Sequence, residues 1–324
     1  MQKTLFLTHD FTDPEFNLAS EEYLLKEREE SFIYLWVNSP SVIVGVNQNT
    51  IGEVNLSFTE EKGIKVVRRL TGGGAVYHDE NNLNYMVIAP YKEGEHDFKR
   101  FASPVIEYLR SLGLNAKFSG RNDIEIDGKK ISGNAQTVYN GRVLHHGTLL
   151  FKTDINMLSN ALKENKLKIE SKGIKSVRSR VTNISECLGE KLTFSEFKNG
   201  LINEFKKDAL IYDLTKKDIE KIEEIKREKY STYEWNIGRS PIGKNRFDYK
   251  FSFGVFSMVF STVNGKMEEV EIFGDFFSKK PIIEFSKELI GVRYEYSSVL
   301  EKMKKIGEYV VNADGEEITK KLFS

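Results

Sequence analysis

Three consecutive glycines, Gly72 to Gly74, stand between a β-branched run from Ile64 to Val67 and a second strand, and no other feature constrains the fold more. Glycine has no Cβ, so a glycine run lets main-chain N–H groups come close to a ligand and adopt dihedrals closed to other residues. Arg68 and Arg69 bring guanidinium forks, which match phosphate or carboxylate oxygens, to the same loop. The stretch Arg69-Leu70-Thr71-Gly72-Gly73-Gly74-Ala75-Val76-Tyr77-His78-Asp79 therefore reads as a backbone-lined anion loop. A glycine-rich hairpin with a solvated basic flank is the alternative.

A second segment bears on that choice. Asn122 to Ile126 alternates as a strand, Asp127-Gly128 is a hairpin turn, and Lys129 begins a return strand carrying Ser132, Gly133 and Ala135. These small residues leave room against the sheet, with Lys130 at the edge of that space as a point charge for a carboxylate or phosphate. Lys129, one residue away on a strand, is expected on the opposite face. An exposed hairpin with two solvated lysines is the bland reading.

Together the two segments resemble the lipoate-protein ligase A family, whose signatures are Arg-Arg-x-Ser/Thr-Gly-Gly-Gly-Ala-Val-x-His-Asp and Lys-x-Ser-Gly-x-Ala. The stretch from Lys172 to Ile184, with Arg178-Ser179-Arg180, and the strand His145-His146-Gly147-Thr148-Leu149 are similar to two further family segments, in the same order. One departure lies in Glu80-Asn81-Asn82-Leu83-Asn84, where Asn81 stands in place of the glycine of the family's Gly-Asn step. Asparagine tolerates the left-handed region, so the turn is expected to survive.

The resemblance implies an α/β (α+β) fold: a large mixed-sheet catalytic domain of the biotin and lipoate ligase type at residues 1–238, and a small α+β C-terminal accessory domain at residues 246–324. It implies an ATP-dependent lipoate–protein ligase. Lipoate and ATP, with Mg²⁺ screening the phosphates, give lipoyl-AMP; a lysine ε-amine of an apo lipoyl domain of a dehydrogenase E2 subunit, or of glycine-cleavage H protein, then displaces AMP. By motif position Lys130 is the catalytic lysine, and Asp123 is placed to orient it or accept a proton, unless it is only a strand-edge carboxylate. Arg69, Thr71, Gly72, Gly73, Gly74, Ala75, Val76, Tyr77 and His78 are expected along the nucleotide, with Ser132, Gly133 and Ala135 beside Lys130. His146 is expected near the lipoyl group, unless merely packed, with His145 facing away. Arg178 and Arg180 are expected over the nucleotide or towards an acidic acceptor, unless simply solvated. Val42, Val44 and Val76 are expected to wall an apolar slot. No metal-ligand spacing is present.

Composition narrows the partners. Lysine plus arginine and aspartate plus glutamate are equal at 48 each, so no global field attracts nucleic acid. The apolar start is too short for a signal peptide, no run approaches a membrane span, and the single cysteine, Cys187, suits a reducing compartment; a cytoplasmic location is expected.

Along the chain, strands are expected at Thr4 to Leu7, Phe32 to Val37, Val42 to Val46 and Leu83 to Ala89, with helices at Pro14 to Arg28 and Phe98 to Leu112 and an Asn140-Gly141 hairpin turn between Gln136-Val138 and Val143-Phe151. Helices at Phe194 to Lys207 and Lys216 to Lys229 precede a linker from Ile237 to Lys244. The C-terminal unit reads as strands Phe247 to Phe253 and Val255 to Val263, an Asn264-Gly265 turn, a strand to Ile272, and helices Ile282 to Ile290, Ser298 to Val310 and Glu316 to Leu322. Two other functions compete. An octanoyl or lipoyl transferase of the same superfamily would use a cysteine nucleophile, for which only Cys187 exists, and a non-catalytic lipoate-binding or docking protein would not need Lys130.

Overall fold

The computed structural model describes residues 4–46, 48–91, 98–119, 122–163, 181–207, 209–238, 243–274, 276 and 279–324. Arg178 and Arg180 lie outside these residues. The chain runs β1 (Thr4–Thr8), α1 (Pro14–Lys26), β2 (Phe32–Val37), β3 (Ser41–Val44), α2 (Thr50–Glu53), α3 (Leu56–Glu61), β4 (Lys65–Arg68), β5 (Val76–His78) and β6 (Asn82–Pro90). It continues with α4 (Phe98–Ser111), β7 (Ala116–Ser119), β8 (Asp123–Ile126), β9 (Lys129–Tyr139), β10 (Arg142–Leu150), α5 (Ile155–Ala161), α6 (Ile184–Cys187), α7 (Phe194–Lys206), β11 (Ala209–Tyr212) and α8 (Lys216–Ile225). The C-terminal unit comprises β12 (Gly243–Phe251), β13 (Gly254–Val263), β14 (Lys266–Gly274), α9 (Ile282–Leu289), α10 (Tyr296–Met303) and α11 (Gly315–Phe323).

Local chemistry accounts for the well-marked elements. Asp13 caps α1, accepting from the Glu15 amide at 3.2 Å, and Pro14 occupies the first turn, where its missing N–H costs nothing. Three hairpins turn on Asp127-Gly128, Asn140-Gly141 and Asn264-Gly265, each pair with positive φ at both residues, as a type I′ turn requires.

The strands form an eight-stranded mixed sheet, ordered β11-β1-β2-β6-β10-β9-β8-β7, and two three-stranded sheets, β4-β3-β5 and β12-β13-β14. The small β4-β3-β5 sheet carries the glycine loop between β4 and β5. Its outer face joins Val42, Val44 and Tyr77 to a core shared with Phe256, Met258 and Phe285 of the C-terminal unit. Arg68, at the end of β4, is fully buried between the segment from Gly45 to Thr50 and the turn at Trp235 and Asn236. It donates to the carbonyls of Gly45, Val46, Gln48, Trp235 and Asn236 and to Thr50 Oγ1, so it is a structural tie rather than a ligand arm.

Several expectations are corrected. The Val42–Val46 strand is Ser41–Val44 and belongs to the small sheet. Strand β11, four residues pairing parallel with β1 at an edge, was missed. The α-helix expected to reach Lys229 ends at Ile225 and continues as a π-helical turn from Lys226 to Tyr230, while the one expected from Ser298 to Val310 gives way after Met303 to a 3₁₀ turn, Ile306–Glu308. The linker is shorter than residues 237–244, because Glu234–Gly238 is helical and β12 begins at Gly243. Asn81 does not adopt positive φ; its amide instead donates to Asp79 Oδ1 at 3.0 Å, so the turn needs no glycine.

Candidate functional site

Between the large sheet and the glycine loop lies an open cleft of about 640 Å³. Strand pairing places its floor. Trp36 pairs with Asn84 and Asn84 with Thr148, and the Gly133 amide donates to Thr148 Oγ1 at 3.3 Å, so these four side-by-side residues form one row across β2, β6, β10 and β9. All four line the cleft, as do Ala135 and His146 from the next row. The roof comes from Arg69, Gly73, Gly74, Ala75, Val76 and His78, with Leu18 of α1 and Ile43 of β3 closing an apolar side.

Lys130 reaches this floor through an irregularity that alternation did not reveal. Lys130 pairs with Glu125 and Ser132 with Ile124, leaving Ile131 as the extra residue of a bulge. The bulge re-phases β9, so Lys130 and Gly133 share a face although they are three residues apart. The Lys130 Nζ bonds Asp123 at 2.7 Å and lies 3.1 Å from where a Cβ on Gly133 would sit. Gly133 thus clears a path for the lysine itself. Ser132, fully buried, is turned to the other side, where Asn134 Nδ2 donates to its Oγ at 3.4 Å.

Arg69 is the keystone of the glycine loop. Its Nη1 donates to the Ile43 carbonyl, its Nη2 to the carbonyls of Gly72 and Gly74, and its Nε to Thr71 Oγ1. Burial pushes this guanidinium down to about 10. Thr71 in turn donates to His146 Nε2 at 2.7 Å, and His146 Nδ1 donates to the buried Glu21 carboxylate at 2.7 Å. The Glu21–His146–Thr71–Arg69 chain therefore ties α1 and the large sheet to the loop. Glu21 was not anticipated, since a lone glutamate on an amphipathic helix carries no sequence signal. Nor were Trp36, Asn84 and Thr148, which join the lining through strand register, or Asn122, which lies in the turn before β8 and accepts from the Asn134 amide.

The remaining candidates divide. Thr71 is fully buried behind the loop, and Gly72 is not among the lining residues. The Tyr77 side chain packs into the outer core, as do Val42 and Val44, which do not wall the cleft; Ile43, one residue out of phase with both, does. His145 faces away, buried against Phe101 and bonded by Gln136 Nε2 at 3.0 Å, and burial pushes its imidazole down to about 3. His78 faces the cleft, held neutral with its value near 3 by burial, helped by Arg69 and His146. Cys187 is not among the lining residues, and burial raises its thiol, opposite to the shift that activates a nucleophile. Among the described residues no group of three or more His, Cys, Asp or Glu side chains is placed to hold a metal. No helix among them is long and apolar enough to cross a membrane.

Comparison with known proteins gives this arrangement its class. A family model for the lipoyl protein ligase A/B catalytic domain matches residues 13–206, and one for the bacterial lipoate protein ligase C-terminus matches residues 240–322. The chain belongs to the lipoyl protein ligase family. The lipoate-protein ligase LplJ of Bacillus subtilis is 45% identical over 92% of both chains. Among solved structures, a bipartite archaeal lipoate protein ligase from Thermoplasma acidophilum, studied with its E2 lipoyl domain, is 32% identical with a TM-score of 0.65, covering 74% of this chain and 97% of that one. A lipoate-protein ligase A bound with ATP is 30% identical with a TM-score of 0.63, covering 74% of this chain and 99% of that one.

Proposed function

We propose that this protein is an ATP-dependent lipoate–protein ligase. In the first step a lipoate carboxylate oxygen attacks the α-phosphorus of ATP and the bond to the pyrophosphate oxygen breaks, leaving lipoyl-AMP and pyrophosphate. In the second, the ε-amine of an acceptor lysine adds to the acyl carbon, the bond to the AMP oxygen breaks, and the amine gives up a proton. The first step brings a carboxylate and a phosphate together and the second builds negative charge on the acyl oxygen beside the AMP phosphate, and the Lys130 ammonium stands where a fixed cation lowers both costs. The observation that carries the reading is the Lys130–Asp123 pair at 2.7 Å, opposite the glycine loop on one cleft.

In this reading Asp123 aims Lys130 and is the acceptor for the amine proton. The main chain from Gly73 to Val76 lines the adenylate, while Arg69, its donors taken by loop oxygens, shapes that lining and supplies charge behind it. The apolar side at Leu18, Ile43 and Val76 takes the lipoyl chain. Magnesium arrives with the nucleotide and binds its phosphate oxygens, as suits an ion that keeps much of its water. The acceptors are apo lipoyl domains of E2 subunits or glycine-cleavage H protein, met in the cytoplasm where ATP is supplied. Residues 1–238 form the catalytic unit and residues 246–324 the accessory unit.

The test is the intact mass of an apo lipoyl domain incubated with protein and lipoate, with and without Mg-ATP. A lipoyl mass gain that requires Mg-ATP is expected. A gain from a carrier thioester without ATP establishes the transferase instead, and no gain with no lipoyl-AMP leaves only a binding protein.

A further inference from the structure

We infer that Asn134 is a positioning residue for the Lys130–Asp123 pair: from behind the cleft floor it seats the Asn122 corner from which Asp123 reaches the lysine. This deepens the ligase reading above, on which its kinetic part rests.

Asn122 stands in the turn that opens β8, one residue before Asp123, and its hydrogen bonds to the described residues all go to Asn134. Its carbonyl accepts from the Asn134 main-chain N–H at 2.9 Å and from Asn134 Nδ2 at 3.1 Å, and its own Nδ2 donates to the Asn134 carbonyl at 2.7 Å. Two of these links need only the main chain of β9; the third belongs to the Asn134 side chain. That side chain is buried, at 3% exposed, and is also held from its other end. A carbonyl admits only a donor, so Nδ2 is fixed towards Asn122 and Oδ1 is turned to Tyr85 and His145. The Tyr85 hydroxyl donates to Oδ1, as does His145 Nε2 at 3.2 Å. A neutral imidazole that donates at Nε2 accepts at Nδ1, where Gln136 Nε2 donates at 3.0 Å. The relay Gln136–His145–Asn134–Asn122 therefore runs in one direction, each member donating to the next.

A second glycine makes room for this relay. Asn134 pairs with Gly147 across β9 and β10, and a Cβ on Gly147 would stand 2.6 Å from the Tyr85 ring and closer still to Asn134 Oδ1. Gly133 thus clears the cleft face of β9 for Lys130, and Gly147 clears the space behind it for Asn134. The two sides meet at β8, where Asp123 pairs with Gly133 and its carboxylate lies 2.7 Å from Lys130 Nζ. A fixed cation stabilises developing charge only if it is held in place before the charge appears, and small displacements are costly. Without the Asn134 arm the start of β8 rests on main-chain links alone, and the aim of Lys130 loosens with it.

Two readouts test this. Trace acetic anhydride labels amines according to how free they are, and the exposed neighbour Lys129 is an internal reference, with fragment masses separating the two sites. In Asn134→Ser the labelling of Lys130 relative to Lys129 is expected to rise roughly threefold. In the same variant kcat for lipoyl-AMP formation is expected to fall roughly three- to tenfold, the yield of one hydrogen bond, with KM for lipoate and ATP unchanged. Tyr85→Phe, which keeps the ring and removes one donor to Oδ1, is expected to move both readouts the same way by about twofold, and it carries the test if Asn134→Ser does not fold. An unchanged labelling ratio, or a changed ratio with unchanged kcat, overturns the inference while leaving the ligase reading intact. A rise in KM at constant kcat assigns Asn134 to ligand contact and also overturns it. If the unsubstituted protein makes no lipoyl-AMP, the ligase reading falls, and the labelling ratio, which needs no substrate, still decides whether Asn134 seats the pair.

Discussion

Lys130 and Lys129 are adjacent and identical in type, yet one bonds Asp123 inside the cleft and the other is exposed. Lys130→Ala is expected to slow lipoyl-AMP formation by roughly 10²- to 10³-fold, the usual loss on removing one fixed donor from a developing charge, without lowering the melting temperature. Lys129→Ala is expected to leave the rate within about twofold, as surface substitutions do. Pyrophosphate release in single turnover distinguishes them; comparable losses in both would sink the assignment of Lys130. The two arginines divide just as sharply. Arg68 is spent on carbonyls at the junction with Trp235 and Asn236, and Arg69 on the carbonyls of the loop it precedes. Their sequence signal is the same, and only their opposite directions from β4 separate them.

At the scale of elements, the glycine loop shows how a motif is built. Of its three glycines only Gly73 has positive φ, at 94°, and a Cβ on Gly72 or Gly74 would meet nothing within 4 Å. The tightest approach is elsewhere: a Cβ on Gly45, just after β3, would stand 2.1 Å from the Gly73 carbonyl oxygen. Gly45→Ala is therefore expected to push the loop off β3, lowering stability by about 1–3 kcal/mol and weakening nucleotide binding. Denaturant unfolding and titration with a non-hydrolysable ATP analogue would check this, and unchanged affinity would mean that the loop is not the nucleotide lining. The three type I′ hairpins were legible because Asn-Gly and Asp-Gly satisfy a strict dihedral demand. The bulge at Ile131 and the edge strand β11 were not, because a bulge is a relation between two strands and a four-residue edge strand has too few positions for a pattern.

Across the whole molecule, buried neutral histidines make stability depend on pH. Burial lowers His78 and His145 from 6.5 to about 3. Below about 6.5 the unfolded chain takes up protons that the folded chain refuses until near 3, so this stability is complete above 6.5 and lost as pH falls. Each histidine is expected to contribute a slope approaching about 1.4 kcal/mol per pH unit. Asp13 and Glu22, held low by lysine partners against the opposing effect of burial, add losses in the same direction at more acid pH. Denaturant midpoints at pH 7, 6 and 5 would show it, and a flat profile down to pH 5 would exclude it. The accessory unit is a second determinant. α10 and α11 touch α3, and the outer face of the small sheet shares their core. A chain ending at residue 238 is expected to expose Val54, Leu56 and Tyr77, melt lower and self-associate; a monomer of unchanged melting temperature on size exclusion would refute this.

By itself the sequence determined the family, the glycine loop, the lysine strand, the hairpins and most helices, because each depends on residues close together in the chain. Tertiary structure alone decided that Ile43 rather than Val42 or Val44 walls the cleft, that Glu21, Trp36 and Asn84 belong to the site, and that Arg68 is structural. These outcomes depend on which face a strand turns and which strand lies beside it, and neither is encoded in any local stretch of residues.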